Sequence, residues 1–250
     1  MKKLIRSIFL LFGVEIKKAG SSNAVTLPKT VFPGTMEEGL KRAKRRKFEP
    51  NTIIDLGAAK GTWTSLCMKF WPNAHYLLFE PLIERKNELE TLKASHPNIH
   101  LSFAAAGKEK GKINFSVTDD LDGSGVYEKH DSAKLREIEI RTTDEEIESL
   151  NLKPPFLIKF DTHGFEIPIL EGAKKTLSET EIIVMECYGF HISNNSLLLH
   201  QMCARLEQLG FRIADVVDVM RRPGDELFWQ CDLFFLRSSD KSFERITYAQ

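Results

Sequence analysis

This 250-residue chain has no long apolar stretch. Its longest run near the N-terminus, Ile8 to Val14, falls far short of the roughly 20 residues a membrane-spanning helix needs. Cysteine is scarce. Cys67, Cys187, Cys203 and Cys231 lie far apart with no C-x-x-C pair, so neither a zinc site nor a disulfide framework is indicated, and reduced, buried thiols are expected. There is no excess of either charge: 35 basic residues cancel 35 acidic ones, which argues against a surface built wholly for nucleic acid or anionic membrane. Internal repeats and low-complexity segments are missing as well. Lys2, Lys3 and Arg6 precede the Ile8–Val14 run as they would in a signal peptide, but Glu15, Lys17 and Lys18 stand where a small-residue cleavage site belongs. A cytoplasmic location is therefore expected.

What is present points to a compact globular protein. Hydrophobic residues make up 42% of the chain, enough to bury a full core. The neutral total hides an asymmetry, since residues 1–50 carry 12 Lys/Arg against 4 Asp/Glu and the rest carry 23 against 31. Within residues 1–20, Leu4, Ile5, Ile8, Leu11 and Phe12 share one side of a basic amphipathic helix, which would either dock on its own domain or lie in a membrane interface as a peripheral contact. Residues 21–33 read as a linker. A second basic helix is expected from Thr35 to Lys47, ending in Lys41–Lys47; it is either a solvated face with favourable C-terminal charges or a patch for RNA or lipid. Residues 1–50 are thus read as an extension, 51–240 as the main domain and 241–250 as a tail.

From Asn51 short apolar runs alternate with helical stretches, the pattern of a parallel sheet with crossover helices. Seven strands are expected: Thr52–Leu56, His75–Phe79, Ile99–Ala104, Phe156–Phe160, Ile182–Glu186, Phe211–Val217 and Cys231–Leu236. Helices are expected at Thr62–Phe70, Ile83–Ala94, Phe165–Leu177 and Asn195–Leu209, the last closed by Gly210. Gly107–Val117 reads as a hairpin insertion, Asp119–Asp131 as a mobile loop, Arg136–Arg141 as an edge strand, and Thr142–Leu150 as a short helix begun by a threonine cap. Arg221, Arg222 and Pro223 are placed in a structural loop.

The first strand runs into Asp55-Leu-Gly57-Ala58-Ala59-Lys60-Gly61, a glycine-bearing turn opening a helix, which is where ligands bind such sheets. A dinucleotide fingerprint would need glycines at 57, 59 and 62; Ala59 and Thr62 break it. What stands there is D-x-G-x-x-x-G, whose carboxylate suits a cationic ligand better than a pyrophosphate. Glu80, at the end of the second strand, is placed to accept hydrogen bonds from both hydroxyls of a ribose. A cationic group beside a ribose describes S-adenosylmethionine, with adenine near the small residues Ala104, Ala105 and Ala106. Taken singly, Gly57 could only end a strand, Gly61 only permit close packing, and Glu80 only be solvated.

The stretch Ile158–Ala173 adds a buried strand, a charged turn and an amphipathic helix. With Asp55–Gly61, Glu80-Pro81, Ala104–Gly107, Thr142–Ile147 and Val184-Met-Glu186, all in order between Thr52 and Cys187, it resembles the FkbM family of S-adenosylmethionine-dependent methyltransferases. The resemblance implies a seven-stranded Rossmann-like sheet with helices on both faces, and methyl transfer, typically to an oxygen of a sugar, glycan or other small molecule. It implies Asp55, Gly57, Ala58 and Gly61 as the cofactor loop, Glu80 at the ribose and Ala105 at the adenine. Three positions depart from the family pattern: Ala59 and Lys60 replace an Asn and an apolar residue, and His163 replaces an acidic or amide side chain.

A hydroxyl acceptor must lose a proton. Asp161 and His163 sit at a strand end facing the crevice, and His163 is the candidate general base; its alternative is a turn histidine satisfied by a neighbouring carboxylate. Glu166 could simply complement a helix N-terminus. Glu186, Tyr188 and His191 are placed on the acceptor side, Tyr188 and His191 alternatively as packing residues. A cation bridging Asp161, Glu186 and a substrate diol would have only two protein carboxylates, and no metal is assigned. Three functional readings follow: O-methylation of a carbohydrate or metabolite, with nucleic acid not expected as a partner; RNA methylation recruited by Lys41–Lys47; and a binding module without turnover, suggested by Ala59 and His163.

Overall fold

The computed structural model describes residues 34–126 and 134–247. The amphipathic helix expected in residues 1–20, the linker at 21–33 and part of the loop expected at 119–131 lie outside the described residues. Among the described residues no helix is long and apolar enough to cross a membrane.

The chain runs α1 (Met36–Arg45), β1 (Thr52–Leu56), α2 (Thr62–Met68), β2 (His75–Phe79), a single 3-10 turn (Ile83–Arg85), α3 (Lys86–Ser95), β3 (Ile99–Ser102), β4 (Ala105–Ala106), β5 (Gly111–Val117) and β6 (Lys134–Arg141). It continues through α4 (Thr143–Ser149), β7 (Phe156–Phe160), α5 (Glu166–Glu171), α6 (Lys174–Ser178), β8 (Thr180–Tyr188), α7 (Leu199–Gln208), β9 (Phe211–Arg221) and β10 (Phe228–Arg237). Seven strands form one sheet in the order β3-β2-β1-β7-β8-β10-β9. The first five are mutually parallel, and β10 runs antiparallel to both β8 and β9.

The central strands TIIDL and FLIKF are buried along their whole length, as strands covered on both faces must be. Alternate side chains serve opposite cores. Ile54, Leu77 and Ile158 join the cluster that includes α5 and α7, while Ile53, Leu78 and Leu157 join the one that includes α1 and α2. Helix α1 belongs to this domain. The Thr35 hydroxyl caps it by accepting from the Glu38 N–H at 3.3 Å, and Leu40 is fully buried, which stabilises by about 2 kcal/mol. At Gly39 an added Cβ would lie 2.7 Å from the Phe234 ring of β10. The compact unit accordingly begins at Gly34, where the sequence placed the boundary at residue 50.

Five other expectations are corrected. The helix read over Phe165–Leu177 is two helices, α5 and α6, because Gly172 lies against the backbone of Gly107: a Cβ there would sit 1.9 Å from the Gly107 carbonyl oxygen. The Gly172 carbonyl accepts from the Asp144 N–H at 3.2 Å, and the Asp144 carboxylate restarts the helix by accepting from the N–H groups of Lys175 and Thr176. Gly107–Val117 does not fold back on itself; its strand β5 pairs with the distant β6. Arg136–Arg141 is therefore no edge strand, since β6 is the middle of a second sheet ordered β4-β6-β5. Arg221 belongs to β9, leaving Arg222 in the turn to β10. Helix α7 starts at Leu199, four residues later than expected, because Ser196 holds the preceding turn by accepting from Ile192 N–H (3.0 Å) and Ser193 N–H (3.1 Å).

Candidate functional site

The C-terminal ends of β1, β2, β7 and β8 open onto a cavity of about 350 Å³. Its floor is the turn after β1. Gly57 has φ +85° and Gly61 +75°, left-handed conformations that favour glycine. At Gly57 a Cβ would lie 2.0 Å from the Asp161 carbonyl oxygen, so only glycine lets the β1 and β7 turns approach this closely. The Gly57 and Ala58 N–H groups donate to the Phe79 carbonyl of β2 at 3.1 and 3.0 Å, fixing the turn from the other side.

Glu80 lies in the cavity wall and is 5% exposed. One carboxylate oxygen accepts from Ala59 N–H at 2.7 Å and the other from Leu82 N–H at 2.8 Å. Each oxygen retains a lone pair for a further donor. Burial pushes its pKa up to about 7, against the two backbone donors and Arg85, which favour the charged form. Ala104, Ala105 and Ala106 line the same cavity, as do Phe165 and Ile169.

At the far wall Asp161, His163 and Glu186 converge, their nearest donor atoms all within 4.8 Å of one another. His163 Nε2 lies 3.5 Å from Asp161 Oδ1 and 3.9 Å from Glu186 Oε2. The imidazole is held by its other nitrogen, Nδ1, 3.0 Å from the Ser124 carbonyl oxygen, which can only accept. The turn carrying it is set by Glu166, a buried carboxylate that accepts from Gly164 N–H (2.8 Å) and the Thr162 hydroxyl (3.1 Å). Glu186 accepts from the Tyr188 hydroxyl and the Gln230 amide. Burial first, and then the Asp161 charge, push the Glu186 pKa up to about 9.

Behind this cluster stands Lys159, a cation on a strand buried along both faces. Its ammonium pairs with Asp161 and lies 5.7 Å from the centre of the Trp63 ring. Although burial opposes the charge, Asp161 and Asp55 hold the Lys159 pKa above its ordinary range. Burial likewise raises the Asp161 carboxyl, but Lys159 overrides it and the net shift is downward. A second cavity, of about 720 Å³, meets the first at Gly57, Ala59, Asp122 and Asp161 and takes in Trp63, Lys159 and Asp232. Burial pushes the Asp232 pKa up to about 6.

The residues singled out from the sequence thus separate into two groups. Gly57, Glu80, Ala105, Asp161, His163 and Glu186 line the main cavity, and Ala58 lines the second. The other four line neither. Asp55 is wholly buried, accepting from the Thr64 hydroxyl at 2.6 Å and leaving its second oxygen without a partner. Gly61 packs against Leu92. Tyr188 reaches the cavity only through its bond to Glu186. His191 is exposed, its Nδ1 2.8 Å from the Ser196 carbonyl oxygen. Sequence reasoning missed Lys159, Ser124, Gln230 and Arg85, whose guanidinium pairs with Asp122 at the cavity rim. Of these only Lys159 left a signal, a charge in the middle of an apolar strand.

A seven-stranded sheet in this order, with a single antiparallel strand inserted beside the last and a glycine turn after the first, is the Rossmann-like architecture of class I methyltransferases. The sequence is more specific. Residues 55–213, well over half of the chain, match the methyltransferase FkbM domain, and the chain belongs to that family. No curated protein matches it in sequence. Among solved structures, precorrin-6y C5,15-methyltransferase from Geobacter metallireducens is similar over 85% of this chain and 93% of its own, at 12% identity and a TM-score of 0.45. Aeropyrum pernix fibrillarin, solved with natively bound S-adenosyl-L-methionine, is similar over 75% of this chain and 67% of its own, at 16% identity and a TM-score of 0.46.

Proposed function

We propose that this chain is an S-adenosylmethionine-dependent O-methyltransferase whose acceptor is a hydroxyl of a carbohydrate, a glycan or a small metabolite. The observation that carries this reading is the pairing, in one cavity, of an anchored carboxylate at Glu80 with a proton-accepting cluster at His163. The donor set suits the cofactor. Glu80 is fixed by two backbone N–H groups and has lone pairs left for two ribose hydroxyls. Three consecutive alanines leave room for a flat ring, and Asp161 offers a carboxylate to a cationic group.

When bound, S-adenosylmethionine supplies a methyl group on a good leaving group, so the chain contributes mainly alignment. Glu80 and the Gly57 turn would fix the nucleoside end. The acceptor hydroxyl would enter beside Asp161 and Glu186. His163 suits the role of proton acceptor: its Nδ1–H is committed to the Ser124 carbonyl, so the neutral ring presents the Nε2 lone pair to the cavity. In the basic helix Lys41, Arg42 and Lys44 are paired with Glu38, Asp215 and Glu49. The test is calorimetric titration with S-adenosylmethionine, S-adenosylhomocysteine and NAD on the wild type and Glu80→Ala. Binding of the two adenosyl ligands alone, abolished by the substitution, is expected. Binding of NAD, or unchanged affinity in the variant, would overturn the reading.

A further inference from the structure

With its Nδ1 turned to the Ser124 carbonyl oxygen, His163 directs Nε2 towards Asp161 Oδ1 and Glu186 Oε2, so that one imidazole nitrogen and two carboxylate oxygens meet within 4.8 Å of one another. Lys159 reaches the opposite oxygen of Asp161, Oδ2, leaving Oδ1 turned to the histidine.

The spacing fits an ion. Ligand atoms about 2.1 Å from a metal at right angles to one another are roughly 3.0 Å apart, and about 3.4 Å at the tetrahedral angle. The observed 3.5 and 3.9 Å exceed the tetrahedral spacing by about 0.1 and 0.5 Å and the right-angle spacing by about 0.5 and 0.9 Å, and the third pair lies within 4.8 Å, so binding draws the three side chains inward. The outer contacts are those that orient metal ligands. Ser124 takes the remote ring N–H of the histidine, and Tyr188 and Gln230 hold Glu186. All three ligand residues line the cavity, so further coordination positions face the space an acceptor would occupy.

We propose that Asp161, His163 and Glu186 form a three-ligand site for a divalent cation, with open positions towards the acceptor side of the cavity. One imidazole with two carboxylates suits a first-row ion of the Mn²⁺ or Fe²⁺ kind, since carboxylates favour hard ions and imidazole the later ones. Such an ion holds and polarises a hydroxyl oxygen. In that catalytic consequence the inference rests on the methyltransferase reading and replaces the role given there to the Nε2 lone pair; cation binding itself does not depend on it.

The test is titration of the full chain with Mn²⁺, followed by electron paramagnetic resonance, after removal of adventitious metal with a chelator. One tight site per chain is expected, with ¹⁴N coupling from a coordinated imidazole. His163→Asn retains a residue that tolerates the left-handed backbone (φ +50°). It should lose the nitrogen coupling and weaken binding at least tenfold, as should Glu186→Gln; the exposed His200→Ala should match the wild type. Absence of Mn²⁺ binding in the wild type, or nitrogen coupling retained in His163→Asn, would overturn the proposal. S-adenosylmethionine affinity measured in the presence of chelator reports on the cofactor reading separately, so either can fail alone.

Discussion

The closest backbone approach at the site is between Gly57 and Asp161, and Gly57→Ala tests whether it holds the cavity together. A Cβ would stand 2.0 Å from the Asp161 carbonyl oxygen and 3.0 Å from its carbon, roughly 1.4 Å inside ordinary contact, against main chain that no side-chain rotation can move. The φ of +85° adds the usual penalty of about 1–2 kcal/mol for an L-residue in a left-handed conformation. Relieving the overlap means pulling the β1 turn away from β7, at the expense of the Asp161 N–H to Leu56 carbonyl bond of 3.0 Å or the Gly57 N–H bond to Phe79. A lost buried hydrogen bond costs about 1–3 kcal/mol. The sum is on the order of 3 kcal/mol, a large fraction of the 5–15 kcal/mol typical of a domain. Urea unfolding followed by tryptophan fluorescence should show the midpoint falling by about 1 M or more, given a slope of roughly 2–3 kcal/mol/M. Gly111→Ala is the control: no atom lies within 4 Å of its would-be Cβ. If Gly57→Ala stays within about 0.5 kcal/mol of the wild type, the range of an ordinary surface substitution, the close-approach argument is wrong.

Other consequences follow from the buried charges. With the Glu80 pKa raised to about 7 by burial, a ligand that prefers the carboxylate should bind about tenfold more weakly at pH 6 than at pH 8, and Glu80→Gln should flatten that profile in calorimetry. The same shift makes Glu80 hold a proton in the folded state that the unfolded chain has released, so its contribution to stability should fall as pH rises from about 4.5 to 7; urea midpoints across that range, compared with Glu80→Gln, check the sign. Thr64→Val removes the donor to Asp55, whose other oxygen is already unpartnered, and should lower stability by about 2 kcal/mol in denaturant unfolding. Lys159→Met leaves Asp161 and Asp55 without their cation, and a loss of about 3 kcal/mol or more is expected near neutrality, narrowing as acid protonates the carboxylates. A neutral outcome at every pH would show that the ammonium does not hold those charges.

The sequence by itself determined the sheet. TIIDL, HYLLF and FLIKF are apolar because both faces are covered, and the glycine turn after β1 and the carboxylate after β2 could be read because each is a local pattern of a few residues. It also put Asp161 at one strand end and Glu186 at another, each a charged residue closing an apolar run. Tertiary structure alone decided the rest. That the Nδ1 of His163 is claimed by Ser124, 39 residues away, and that Gln230 reaches Glu186 across 44 residues, are contacts between segments with no local signature of each other. The same is true of Gly172 against Gly107, which split a helix that periodicity alone made continuous, and of β6, whose alternation of polar and apolar residues shows one covered face but not how many neighbours it has. Asp55 shows the limit most directly: one carboxylate in a buried strand can turn to a ligand or to Thr64 and Lys159, and only packing around that strand selects between them.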